Sequence, residues 1–311
     1  MIALALIVSA VLVLAAGHVP LLRLLGPTRD PRVAIVAWMT TIIGALVTLA
    51  AGVVLLAMPH TDLLAMFGLA GSCLAHLGHE ELPNADEVGS LLGLAALVAV
   101  AARILVVGIR QGRRRAERRE RHRFLIHLAA ADVTEHGRIV WLNHQDPVAF
   151  ALTGRPGLIV MSTSMTQRLH PGALTATLEH EHAHLLGRHH LILAVTDTLA
   201  AALPVAPLLG TAPAALRTLV EFAADAAAVR RCGAPAVRDA LQVFCGLPAS
   251  GPGLAMAGST VEHRIARLDS APPHRRPLAR HLSCGLAGLS AALLPVLITA
   301  GVFLAVACPV G

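Results

Sequence analysis

Two stretches of this chain, residues 2–22 and 33–61, contain no Asp, Glu, Lys or Arg at all. A hydrocarbon core is crossed by about 20 helical residues, so each stretch is long enough to span one. Residues 88–109 form a third candidate, with Arg103 close enough to its end to snorkel. Residues 282–311 supply a fourth, uncharged to the last position. Composition agrees, since 55% hydrophobic and 14% charged residues with a mean hydropathy of +0.68 are values a soluble domain rarely reaches. A signal peptide would want a positive charge ahead of the first apolar run. None is present, so residues 2–22 read as an anchor.

Orientation follows from arginine, because the chain has no lysine. Arg23, Arg29 and Arg32 follow the first span, and a dense basic run over 110–123 follows the third. The loop over 59–87 carries Asp62, Glu80, Glu81, Asp86 and Glu87 and no Arg. The positive-inside rule puts the two basic segments in the cytoplasm and both termini outside. Behind a span, the basic run reads as a topology anchor touching anionic lipid, and no direct nucleic-acid binding is expected. The apolar residues 63–78 are short and read as an outer interfacial helix. The neighbouring His76, His79, Glu80 and Glu81 read as a polar loop, since no zinc-ligand spacing joins them. Five cysteines at 73, 232, 245, 284 and 308 show no C-x-x-C spacing and read as free thiols, with Cys73 and Cys308 near enough to the outer side to pair.

The chemistry sits in His180-Glu181-His182-Ala183-His184, an H-E-x-x-H word inside a helix-forming run. Residues four apart stack on one helical face, so His180 and His184 can offer two ring nitrogens to one ion. Glu181 lies about 100° around the turn, where its carboxylate reaches a water on that ion. With 17 histidines in the chain the word can arise by chance, and a zinc site needs a third protein ligand and an open position. Glu221 and Asp225, isolated acids at i and i+4 among apolar residues, are the candidates. Carboxylates in apolar surroundings are costly unless paired or metal-bound. The bland alternative pairs them with Arg217 and Arg230 on a solvated helix.

H-E-x-x-H followed by E-x-x-x-D on a later helix resembles the integral-membrane gluzincins, which include the BlaR/MecR peptidases and the HtpX and CAAX prenyl proteases. Val148-Ala-Phe-Ala-Leu-Thr-Gly-Arg-Pro-Gly-Leu-Ile-Val-Met-Ser162 is similar to the strand pair that precedes the metal helix there, and Ser259-Thr-Val-Glu-His-Arg-Ile-Ala-Arg-Leu268 to a later "eRi..L" segment. The BlaR/MecR side fits best, with the HtpX type second, over roughly 140–268. The resemblance implies Zn2+ on His180, His184 and Glu221, with Glu181 as general base and later proton donor. It implies that Asp225 orients a ligand histidine from behind. Two positions depart from the pattern. His189 stands where these families commonly have Asp, and the chain has no Tyr to hold an oxyanion. His263 and Arg264 are the candidate donors for that role, with an ordinary helix-surface pair as the alternative.

The expected architecture is a mainly α membrane protein with about four transmembrane helices and a cytoplasmic gluzincin-like α+β zinc peptidase domain containing a small sheet. Its divisions are a membrane region at 1–110, a basic juxtamembrane segment at 111–123, the peptidase domain at 124–281 and a last transmembrane helix at 282–311. Residues 137–142, 147–152 and 158–162 are short β-rich runs. Residues 158–161 are the expected edge strand, able to take an extended peptide by strand addition. Pro171 suits the first turn of the metal helix, and Gly187 its end. Residues 191–210 are long enough to cross a bilayer, yet a crossing would part Glu221 from the two histidines. A hairpin broken at Pro204 and Pro207 is therefore expected, holding the site at the membrane surface.

The function implied is a membrane-bound zinc metalloendopeptidase that cuts a cytosolic or membrane polypeptide, with a transcriptional repressor as one substrate class. The alternatives are HtpX-like quality control of membrane proteins, or a non-catalytic signal transducer with a structural metal site. Such a closed site would need a fourth protein ligand, His182 or His189. A metal transporter is disfavoured because the spans carry almost no ionisable residues. Without lysine, the S-x-x-K nucleophile of a β-lactam sensor cannot occur in this sequence.

Overall fold

The structure, a computed structural model, describes residues 2–26, 29–57, 85–134, 139–244 and 259–270. The expected span at 282–311, the apolar run at 63–78, the acidic loop at 59–84 and Cys73, Cys245, Cys284 and Cys308 lie outside the described residues.

Apolar sequence becomes helix first. Helices α1 (Ile2–Ala16), α2 (His18–Leu22), α3 (Pro31–Ala57) and α4 (Ala85–Ala129) come before any strand. Three segments, Ala3–Leu25, Pro31–Ala57 and Leu91–Ile126, are long and apolar enough to cross a membrane. Helix α4 does not stop at the basic run. It continues through Arg110 to Arg123 as one helix, because arginine and glutamate are strong helix formers. Arg103 is anchored within the protein. Its Nε–H donates to the Ala202 carbonyl at 2.6 Å, satisfying a carbonyl at the end of another helix.

A four-stranded sheet follows, built from β1 (Ala130–Thr134), β2 (Ile139–Leu142), β3 (Ala149–Leu152) and β4 (Leu158–Ser162) in the order β1-β2-β4-β3. Strand β4 runs parallel to β2 and antiparallel to β3. The expectation that 158–161 forms the edge is therefore overturned. Every residue of Leu-Ile-Val-Met-Ser in β4 is buried, as befits a strand covered on both faces and paired on both sides. The edges are β1 and β3, and the β3 edge packs directly on the metal helix.

After the short α5 (Ser164–Arg168) comes α6 (Pro171–Leu186), which carries the H-E-x-x-H word. Its start is built by His170, whose Nδ1 accepts from the Gly172 and Ala173 N–H groups, with Pro171 in the first turn. It ends at Gly187, and Arg188 then takes a left-handed conformation at φ 47°.

Helices α7 (His189–Ala202) and α8 (Pro207–Cys232) form the expected hairpin, with Pro204 in the turn and Pro207 opening α8. Asp197 on α7 bonds Arg217 on α8 at 2.6 Å and Arg115 on α4 at 3.3 Å, fastening the hairpin to the long helix. Leu208, Leu209, Ala212, Leu216 and Leu219 of α8 join Trp38, Ile42 and Ala45 of α3 in the largest core. Alanines at such contacts let backbones approach closely, as between membrane helices. A smaller core unites α6, α8, α9 (Ala234–Phe244) and α10 (Ser259–Ser270) through Ala176, Ala228, Leu241 and Val261.

Candidate metal centre

Helical spacing puts His180 and His184 one turn apart on α6, with their Nε2 atoms 3.1 Å from each other. The turn at 203–206 brings α8 back beside α6. Glu221 then presents Oε2 at 3.4 Å from His180 Nε2 and Oε1 at 3.5 Å from His184 Nε2. One donor atom from each of the three lies within 4.8 Å of the other two. Glu221 Oε2 is buried. Two imidazole nitrogens and a carboxylate converging at this spacing are the donor set of a metal ion, and zinc fits it by type and number.

The outward nitrogens are occupied. His180 Nδ1 lies 2.9 Å from Asp225 Oδ1, and His184 Nδ1 lies 3.0 Å from His189 Nδ1. A histidine that gives its Nε2 lone pair to an ion keeps its proton on Nδ1. With an ion on Nε2, the His184 Nδ1–H would donate to His189 Nδ1. Gly187 makes room for this, because a Cβ at that position would collide with His189 Nε2. Neither His182 nor His189 joins the metal-capable cluster among the described residues. His189 engages the far side of the His184 ring, and His182 sits about 200° around the helix from His180.

Arg264 is 2% exposed and is the charged residue most deeply built into the site. It lies on the apolar face of α10 with Val261, Ile265 and Leu268, which pack in the core shared with α6 and α8. Its Nε–H and Nη2–H donate to the two Asp225 oxygens at 2.7 and 2.6 Å, and Nη1 lies 3.1 Å from Glu221 Oε2. The bland pairing of Glu221 and Asp225 with Arg217 and Arg230 is not what forms, since Arg217 goes to Asp197. His263, next to Arg264, is exposed. The two oxyanion candidates thus part, one facing inward and one facing out. On α10, Arg267 donates to the Gly26 carbonyl at 3.2 Å and lies over the Phe222 ring, tying this helix to the end of the first span.

Glu181 is 5% exposed, and the Ala151 backbone on the β3 edge favours its ionised form. Burial pushes its carboxyl up from 4.5 to about 7. Burial also drives His184 down to about 3 and His189 down to about 4. His180 goes the other way. Burial and Arg264 lower it, but hydrogen bonds to Asp225 and Glu221 prevail and lift it to about 9. Glu221 ends at about 2, with burial outweighed by His180 and Arg264. Burial likewise opposes ionisation of Asp225, and Arg264 overrides it, holding that carboxyl below its ordinary range. The proton held by His180 marks where cationic charge is stabilised, and a divalent ion would displace it.

Residues 113–272 match the sequence pattern of Peptidase family M48, slightly more than half of the 311-residue chain. The chain belongs to Peptidase family M48. M48 peptidases are metal-dependent, which agrees with the His180, His184 and Glu221 cluster and bears out the resemblance to membrane metallopeptidases of the HtpX/BlaR type. Membership also implies a polypeptide substrate and association with a membrane. No curated protein and no solved structure matches the chain.

Two residues of the site's frame were named from the sequence, but not for the contacts they make. His189 stood out as a departure from the family's Asp and as a possible fourth ligand. Arg264 was a candidate for a different task, and the signal for burial lay in its place among Val261, Ile265 and Leu268. The Ala151 contact to Glu181 carried no side-chain signal at all.

Proposed function

We propose that this M48 peptidase is a zinc-dependent endopeptidase held in the cell membrane, with its catalytic region on the cytoplasmic side and both termini outside. His180, His184 and Glu221 would hold the ion. Zinc bound there would polarise the scissile carbonyl and bring the attacking water's pKa toward 7. Glu181 takes the proton from that water and returns it to the leaving amine. Asp225 and His189 fix the two imidazoles from behind, and Arg264 holds Asp225. With its N–H groups turned to Asp225, Arg264 acts through orientation and charge. The exposed His263 remains the candidate substrate contact. An extended peptide would lie along β3, the edge strand that touches α6 and meets Glu181 at Ala151.

One observation carries this reading. Glu181 sits beside two histidine nitrogens and a carboxylate that converge within 4.8 Å, with the edge strand against the same helix. Glu221 rides on the α7–α8 hairpin, whose α8 packs on α1 and α3. That favours a polypeptide presented at the membrane, either a membrane protein under quality control or a repressor reaching the cytoplasmic face. The test is Glu181→Gln purified in detergent. It should keep one zinc per chain while cleavage of an unfolded polypeptide falls about 10²–10⁴-fold. Full activity in that variant would sink the reading, and the same variant used as a trap in membranes would capture the substrate.

A further inference from the structure

A cavity of about 690 Å3 opens beside the metal helix, and neither His180 nor His184 lines it. Glu179, His182 and Leu186 of α6 form one wall, at i, i+3 and i+7. The start of α3 gives Arg32, Ile35 and Val36, α8 gives Arg230 and Arg231, and α7 gives Ile192. Three arginines from two elements thus face one carboxylate, Glu179, which lies 3.4 Å from Arg231 Nε. The charge lining the cavity is mainly cationic, and all three arginines are exposed.

Position identifies the anion. Arg32 is the second residue of a helix long and apolar enough to cross a membrane, so its guanidinium stands at the boundary end of that span. Ile35 and Val36 lie one turn further into it. The cavity therefore runs from cationic to apolar in the direction that leads into the membrane, and Leu186 on its wall is 70% exposed. Guanidinium groups match phosphate oxygens in geometry and charge. Basic pockets between membrane helices suit anionic headgroups.

We propose that this cavity binds an anionic phospholipid, with its phosphate on Arg32, Arg230 and Arg231 and its glycerol and acyl chain against Ile35, Val36 and Ile192. His189 lines the same cavity while its ring holds His184, so the lipid touches the residue standing behind the metal-capable cluster.

Native mass spectrometry of the full-length protein in neutral detergent tests this, titrated with phosphatidylglycerol, phosphatidylcholine and inorganic phosphate. Phosphatidylglycerol should bind at about tenfold lower concentration than phosphatidylcholine, and that preference should vanish in the Arg32→Gln, Arg230→Gln, Arg231→Gln triple variant. Ala227→Phe should also abolish it, filling the cavity without changing charge. Arg113→Gln with Arg114→Gln on α4 should leave it intact. Melting temperatures establish that each variant is folded, and Ala227→Phe together with Arg32→Gln carries the test if the triple variant is not. A preference that survives Ala227→Phe, or that is lost with the α4 pair, overturns the proposal. Displacement of the lipid by millimolar inorganic phosphate would overturn it too, assigning the arginines to a soluble anion.

Discussion

Arg264 grips Asp225 at two points, Nε–H to Oδ2 at 2.7 Å and Nη2–H to Oδ1 at 2.6 Å, and both side chains are buried. Asp225 passes that constraint to His180 through a 2.9 Å contact. Removing one partner of a buried pair strands the other charge, at a cost of about 3–5 kcal/mol. Arg264→Gln should therefore lower the melting temperature sharply and reduce zinc content. Arg264→Lys, which keeps the charge and loses the planar fork, should fall between it and the parent. An unchanged melting curve for Arg264→Gln would show that the fork does not constrain the site.

His189 answers the His184 Nδ1 atom across 3.0 Å, so its removal should be felt in metal affinity before it is felt in folding. Loss of such a supporting acceptor typically costs about 10–100-fold in affinity. His189→Ala should show that loss in competition with a zinc chelator. His189→Asp should restore binding, because a carboxylate accepts the same N–H. Equal affinity in all three proteins would assign the imidazole a packing role only.

Glu181 makes stability depend on pH in the metal-free protein. Its carboxyl is raised from 4.5 to about 7 by burial, so between those values the native state holds a proton that the unfolded chain has released. Stability is then fully present below about 4.5 and is lost as pH rises toward 7. The rise corresponds to about 3 kcal/mol, as an order of magnitude. Chelator-treated parent protein should lose stability across that window relative to Glu181→Gln. Added zinc should shrink the difference, since a nearby cation favours the carboxylate. Parallel pH profiles for the two chelator-treated proteins would contradict the raised carboxyl.

The parts of the site written in helical periodicity were legible in the sequence. His180 with His184, and Glu221 with Asp225, each lie four apart, and that spacing alone aligns them. The hairpin was legible for a topological reason, since three ligands cannot meet across a bilayer. Arg264 was not, because the burial of an arginine is decided by what α10 packs against, here α6 and α8. The edge assignment failed although its correction was present in the residues. An unbroken Leu-Ile-Val-Met run is the signature of a strand covered on both faces, and β4 lies between β2 and β3. Strand β1 went unread because Ala130 and Ala131 continue a helix-favouring run, and its β conformation comes from pairing with β2.

Ala151 offers the last test, because its contribution is pure backbone. Its backbone N–H on the β3 edge favours the ionised form of the Glu181 carboxylate. Proline has no N–H to give, and an edge strand tolerates it where the lost donor did not serve the ladder. Ala151→Pro should keep zinc and fold, while the carboxyl of Glu181 moves further up. The acid limb of kcat/KM should then shift to higher pH, and the loss of rate should shrink as pH rises. The same change disturbs the edge along which a peptide would pair, so KM for a polypeptide should rise as well. A uniform loss of rate at every pH with KM unchanged would separate Ala151 from both Glu181 and substrate, and would move the peptide path away from β3.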